Sequence, residues 1–177
     1  NKRNLYPPHY FNKHNIMYNY QGSKQVYDLD NNQVRKIATL SKAVSSEPLA
    51  YTENSNLIVV RNGQERILKP LGEGHYIWGS ISPEKERILF TLAGKGTYIS
   101  DLEGNIIAEL GHANAPRWSP DGNWIVCMQD QDDGHRITAS EITVISADGQ
   151  QKYQLTDTKD KIELHPDWAP AGDKLVY

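Results

Sequence analysis

The stretch Ala115 to Val126, A-P-R-W-S-P-D-G-N-W-I-V, constrains the fold most, because degraded copies of it recur along the chain. It returns near the C-terminus as Pro166 to Tyr177, P-D-W-A-P-A-G-D-K-L-V-Y. Upstream, Trp78 to Phe90 reads W-G-S-I-S-P-E-K-E-R-I-L-F, and Pro8 to Tyr18 reads P-H-Y-F-N-K-H-N-I-M-Y, with Tyr10 in the place of the tryptophan. Recurrence over such long intervals implies a solenoid or a propeller.

Each residue of the repeat has a physical task. Pro120 pre-sets φ for a turn, Asp121 can bond its own backbone, and Gly122 takes the left-handed conformation that reverses the chain. The stretch therefore reads as a strand-turn-strand joint. Trp118 before the turn, and Trp124, Ile125 and Val126 after it, supply the apolar surface that one small sheet buries against its neighbour. Trp78, Pro83, Trp168, Pro170 and Gly172 are taken as the corresponding residues of other copies. After each joint come two further strand signals split by a turn, as at Asp148-Gly149, Glu103-Gly104 and Asn31-Asn32. A last strand then closes each unit, over 34–40, 66–71, 105–110 and 152–156.

The apolar residues that open the second strand, Ile16, Leu49, Ile88, Ile125 and Leu175, are 33, 39, 37 and 50 residues apart. Propeller blades place four strands in ~40 to 45 residues. The expectation is all-β: a partial β-propeller of four-stranded antiparallel blades, about four plus the start of a fifth, with approximate limits 4–41, 42–72, 73–111, 112–158 and 159–177. The long last interval is assigned to a polar insertion over 129–140 between the second and third strands.

W-S-P-D-G before an apolar strand, then I-T-V-I-S-A-D-G-Q-Q-K-Y-Q-L-T-D and a second W-A-P-A-G, resembles the repeat of TolB-like β-propellers, which is also found in the propellers of prolyl-oligopeptidase-type peptidases. The resemblance is strongest over 111–177, weaker over 72–110, and only a pattern over 1–71. Asp121 becomes Ala171 in the last copy and Glu84 in an earlier one, so one joint alone keeps the full motif. The resemblance implies rings of six or more blades, and the chain is expected to be part of a longer one, with unpaired blade edges open to self-association.

With 38% apolar residues, 23% charged residues, 13 Gly and 9 Pro, the composition suits a turn-rich β-protein. No apolar run approaches membrane-spanning length. The net charge of −3, with both signs interspersed, gives no footprint for nucleic acid. Cys127 is alone, which excludes an internal disulfide and reads as a small core residue.

The sequence holds no G-x-S-x-G, no H-E-x-x-H and no paired cysteines, so neither a serine-hydrolase elbow nor a common zinc spacing is present. Gly94-Lys95-Gly96-Thr97 reads as a hairpin turn rather than a phosphate loop. Asp130, Asp132, Asp133 and Glu141 approximate a calcium loop, but Gly134 stands where an oxygen ligand belongs and His135 where glycine is needed, so a solvated acidic loop is the preferred reading. Of six histidines, His75, His112 and His165 lie at the starts of inner strands and are candidates for one rim or channel mouth. No catalytic residue and no cofactor is expected.

Three functions follow from these readings. The preferred one is a non-enzymatic module that binds a protein partner in the bacterial envelope, periplasmic or secreted, as the resemblance implies. The others are the propeller of a larger peptidase and a propeller-based polysaccharide lyase or hydrolase. Fold alone does not select among them.

Overall fold

The computed structural model describes residues 9–12, 15–20, 23–28, 30–36, 47–158 and 161–177, and every regular element among them is a β-strand. Among the described residues no helix is long and apolar enough to cross a membrane. The chain divides into two compact units, one comprising 1–47 with 61–64 and the other 48–60 with 65–177.

In the first unit, β1 (His9–Asn12), β2 (Asn15–Tyr20), β3 (Ser23–Asp28) and β4 (Gln33–Lys36) form a four-stranded antiparallel meander. Asp28 accepts hydrogen bonds from the backbone N–H groups of Asp30 and Asn31, and Asn32 takes a left-handed φ of 54°, which closes the β3–β4 turn.

The second unit contains two further meanders: β8 (Tyr76–Ile81), β9 (Arg87–Leu92), β10 (Gly96–Asp101) and β11 (Ile106–Gly111); then β12 (Asn114–Trp118), β13 (Trp124–Asp132), β14 (Ile137–Ser146) and β15 (Lys152–Gln154). β16 (Asp167–Trp168) and β17 (Leu175–Val176) begin another. The segment 42–72 departs from the expected pattern. It contributes three described strands, β5 (Leu49–Glu53), β6 (Asn56–Arg61) and β7 (Gln64–Leu68), and its residues 42–46 lie outside the described residues. β5 pairs with β8 through Tyr51 and Ser80, so these strands join the next meander as a seven-stranded sheet. Gly79 permits that approach: a Cβ there would lie 2.7 Å from Thr52 Cγ2.

The middle strands read as unbroken apolar runs because both of their faces are buried. Successive residues point to opposite sides, so Ile88 and Phe90 of β9 join one core with Leu57, Val59 and Tyr76, while Leu89 joins another. Ile125 and Cys127 of β13 face that second core, which also holds Ile99 and Leu110 of the preceding meander, and Val126 and Met128 face a third core with Ile142. Cys127 is fully enclosed, and burial pushes its thiol up to about 11.

Three joints share one backbone geometry. The N–H groups of Ser82, Ser119 and Ala169 bond to the carbonyls of Arg87, Trp124 and Lys174, and those of Lys85, Gly122 and Gly172 bond back to Ser82, Ser119 and Ala169. The turn needs a left-handed residue at its fourth position, which Gly122 and Gly172 supply without strain and Lys85 supplies at φ 67°. Ile81 pairs with Ile88 as Trp118 pairs with Ile125 and Trp168 with Leu175. Ile81, rather than Trp78, is thus the counterpart of Trp118. Trp78 lies three residues earlier, because that copy puts G-S-I where the others put P-R-W and P-D-W.

Trp118 and Trp168 each pack on the core of the preceding sheet, and each has a buried indole N–H with no partner among the described residues. Trp118 also lies under the Arg87 guanidinium, 5.0 Å from its ring centroid, and Arg87 Nη2 donates to the Gly122 carbonyl at 2.8 Å. Because Trp118 is only half-buried, Trp118→Ala is expected to cost about 2–4 kcal/mol in chemical denaturation, below the ceiling for a fully enclosed tryptophan. Trp118→Phe, which sacrifices no hydrogen bond, should recover most of the loss. Equal costs for the two variants would show that the ring is not packed.

Asp121 is acidified by the Ser119 hydroxyl at 2.5 Å and by the Asn123 backbone N–H at 3.0 Å. A carboxylate with a lowered folded value contributes stability above its ordinary value of 3.8, and that contribution disappears as pH falls through the lowered value. Asp121→Ala should therefore be less stable than the parent at neutral pH, and the gap should close as the solution is acidified below pH 3.8. A gap that stays constant down to pH 2 would refute this account.

Candidate functional site

The second unit carries a repeated backbone irregularity on its inner strands. Trp78, Ala115 and His165 have φ of 54°, 45° and 54°, and the β8–β9 and β12–β13 registers slip where the first two fall, between Ile77 and Ser80 and between Asn114 and Arg117. Gly79, Pro116 and Pro166 follow these residues. A proline donates nothing to a ladder, and a bulge at that point re-aims the residues beyond it. Those residues are Ser80, Arg117 and Asp167, which pair with Leu89, Val126 and Val176 at one register level of three successive inner strands.

Arg117 is half-buried, and its one described hydrogen bond runs from Nη1 to the carbonyl of Pro116 at 3.1 Å. Burial lowers its guanidinium from the ordinary arginine value, and the charge of Asp167 opposes that shift. Asp167 accepts from the Trp168 backbone N–H at 2.8 Å, while the Ser80 Oγ is buried with no partner among the described residues.

At the rim where inner strands begin, His75 and His112 are both exposed and stand 37 residues apart at matching positions. His165 is exposed as well, but it occupies the bulge position, three residues farther along the repeat, and its backbone N–H points at Met128 Sδ. His112 Nε2 lies 3.1 Å from the Asp130 carbonyl and 3.4 Å from its carboxylate, which also accepts from Asn114 Nδ2 at 2.7 Å. The Gln129 amide donates to the His112 carbonyl and accepts from Lys152 Nζ.

The segment 129–140 is not the polar loop that its composition suggests. β13 and β14 continue as a ladder past Met128, where β12 stops, through Gln129↔Glu141, Asp130↔Ser140, Gln131↔Ala139 and Asp132↔Ile137. The four acidic residues are consequently spread along a ribbon. Asp130 is held by Asn114, and Glu141 accepts from Thr156 Oγ1 and the Thr158 backbone N–H. Asp132 and Asp133 accept backbone N–H bonds within the tip, from Gly134 and from His135 and Arg136. Among the described residues no three His, Cys, Asp or Glu side chains gather so as to hold a metal ion.

Of the residues singled out from sequence, Trp118, Pro120, Asp121, Gly122, Trp168, Pro170 and Gly172 fall at the joints, as does Pro83. Arg117 and Ser80 stand in no sequence motif, because their setting depends on a register slip; the signal the sequence carries is their spacing of 37 residues from one another and, for Arg117, of 50 from Asp167.

No protein-family model matches the chain, and no curated protein matches it. Solved structures do. A putative TolB from Agrobacterium tumefaciens superposes with a TM-score of 0.59 at 17% identity, covering 92% of this chain and 64% of its own. The fold is a TolB-like β-propeller fold. An oligogalacturonate lyase in complex with manganese has a TM-score of 0.52 at 13% identity, over 86% of this chain and 49% of the lyase. The tricorn protease has a TM-score of 0.50 at 10% identity, over 92% of this chain and 22% of the protease. The chain spans less than two thirds of the length of each.

Asp132→Ala combined with Asp133→Ala is expected to move the melting temperature by no more than ~2 °C, since both carboxylates bond only within an exposed tip. Excess calcium should leave the parent's melting curve unchanged. A calcium-induced rise that the double variant loses would establish an ion site there.

Proposed function

We propose that the chain is a non-enzymatic propeller module that binds a protein partner in the bacterial envelope, through the rim formed by the starts of its inner strands. The observation that carries this reading is the β13–β14 ribbon. It projects four residue pairs beyond β12 at the rim that bears His112. The ribbon is also braced: by Asp130 to Asn114 and His112, by Gln129 to Lys152, and by Ser140 Oγ to the Glu163 carbonyl at 2.6 Å. A projection fixed on several sides loses little conformational entropy on docking, which favours specific recognition. The periplasmic or secreted location belongs to the same proposal and is supported by likeness to a TolB fold alone.

Site-specific photocrosslinking tests the rim. A photoreactive side chain at His135 should give one dominant protein adduct in envelope extract, and the same group at Glu103, in a turn at the opposite end of its strands, should give none. Equal labelling from both positions, or none from His135, defeats the proposal.

A further inference from the structure

We propose that Arg117 anchors a carboxylate, supplied by an acidic side chain of an extended peptide that enters between β8, β12 and β16. This inference rests on the reading of the chain as a protein-binding module and names what part of the partner is held. A guanidinium offers five N–H donors, and Arg117 spends one on Pro116. No carboxylate oxygen lies within ion-pair distance of it among the described residues, although the group is half-buried. Asp167 offsets only part of the cost of taking that cation out of water, since it forms no ion pair with it, and an incoming carboxylate taken bidentately relieves the rest.

The flanking positions refine the ligand. Ser80, at the same register level of β8, has a buried hydroxyl with no partner among the described residues. Asp167, on the other side, is near enough to influence Arg117 electrostatically, yet its described hydrogen bond goes to its own neighbour, Trp168 N–H. A carboxylate there repels a bare polyanion and accepts a hydrogen bond from an N–H donor. One negative charge beside an amide donor is what a glutamate or aspartate within a peptide presents.

The test follows the Arg117 Nε–Hε resonance in the isotope-labelled chain, assigned with Arg117→Lys, during titration with end-blocked Gly-Gly-Glu-Gly-Gly, its Gln counterpart and galacturonate. The Glu peptide should shift the resonance, with the Gln peptide at least about tenfold weaker, as expected for loss of a charge-assisted pair. Arg117→Gln should abolish binding, and Asp167→Asn should preserve it. Should Arg117→Gln fail to fold, the Glu-to-Gln contrast in the parent chain decides. An unmoved resonance, equal shifts from both peptides, or galacturonate binding as tightly as the Glu peptide overturns the inference. Crosslinking from His135 that persists in Arg117→Gln, with no peptide shift, would leave the protein-binding module standing and remove the anchor; a peptide shift without any adduct would do the reverse.

Discussion

The architecture depends on one constraint: each middle strand must be covered on both faces. Ile88, Leu89 and Phe90 are consecutive and fully enclosed, and they alternate between two cores. Burying each such side chain contributes about 1.5–3 kcal/mol, and a sheet that stands alone forfeits that burial on both faces. A single meander of this sequence therefore has no stable existence, and repetition follows from the composition of its middle strands rather than from any property of its loops. The same constraint explains why the outer strands β11 and β15 are more exposed, since one side of each is an edge.

Given stacked sheets, the joints must hold their edges at a fixed spacing, and backbone hydrogen bonds suffice. Ser82, Ser119 and Ala169 begin identical turns, although Ala169 lacks the hydroxyl that in the other two accepts an N–H two residues past the left-handed position. The fold reuses the device: Ser146 to Gln151 repeats the pattern of Ser119 to Trp124 bond for bond, with Asp148 in the role of Asp121 and Gly149 in that of Gly122. One turn thus serves both the joint that enters the second strand and the joint that enters the fourth.

This is also where legibility in the sequence ends. Pro120, Gly122 and the apolar runs announce strand, turn and repeat because their conformational preferences are intrinsic. Lys85 takes the left-handed position against its preference, held there by the Ser82 carbonyl, and no property of lysine reveals it. Trp78 was legible as an aromatic of the repeat but not as its bulge residue, since a bulge is a relation between two strands. The acidic run 130–133 signals a loop by composition, whereas the actual ribbon is selected by pairing and by the burial of Ser140 against Glu163. The charge-bearing site is the least legible part, because its residues share only a position in the register.

The three left-handed residues at this repeat position carry different side chains on a constant backbone. Trp78 is half-buried against the core around Val126, Ala115 is enclosed within it, and His165 faces solvent, yet all three hold φ near 50° at a cost of order 1–3 kcal/mol each. A strain repeated with such unlike residues cannot be the requirement of any one of them. It belongs to the inner strand: in the two copies where the register slips, the residue two places on re-enters the ladder as Ser80 or Arg117, and the next one, Ile81 or Trp118, reaches a neighbouring core. The backbone thereby separates two tasks that a regular strand would couple: the apolar position stays fixed for packing, and the position before it is released to be serine, arginine or aspartate. The residue before the packing position therefore differs in charge from copy to copy, as Ser80, Arg117 and Asp167, while the left-handed residue two places earlier keeps the same backbone conformation.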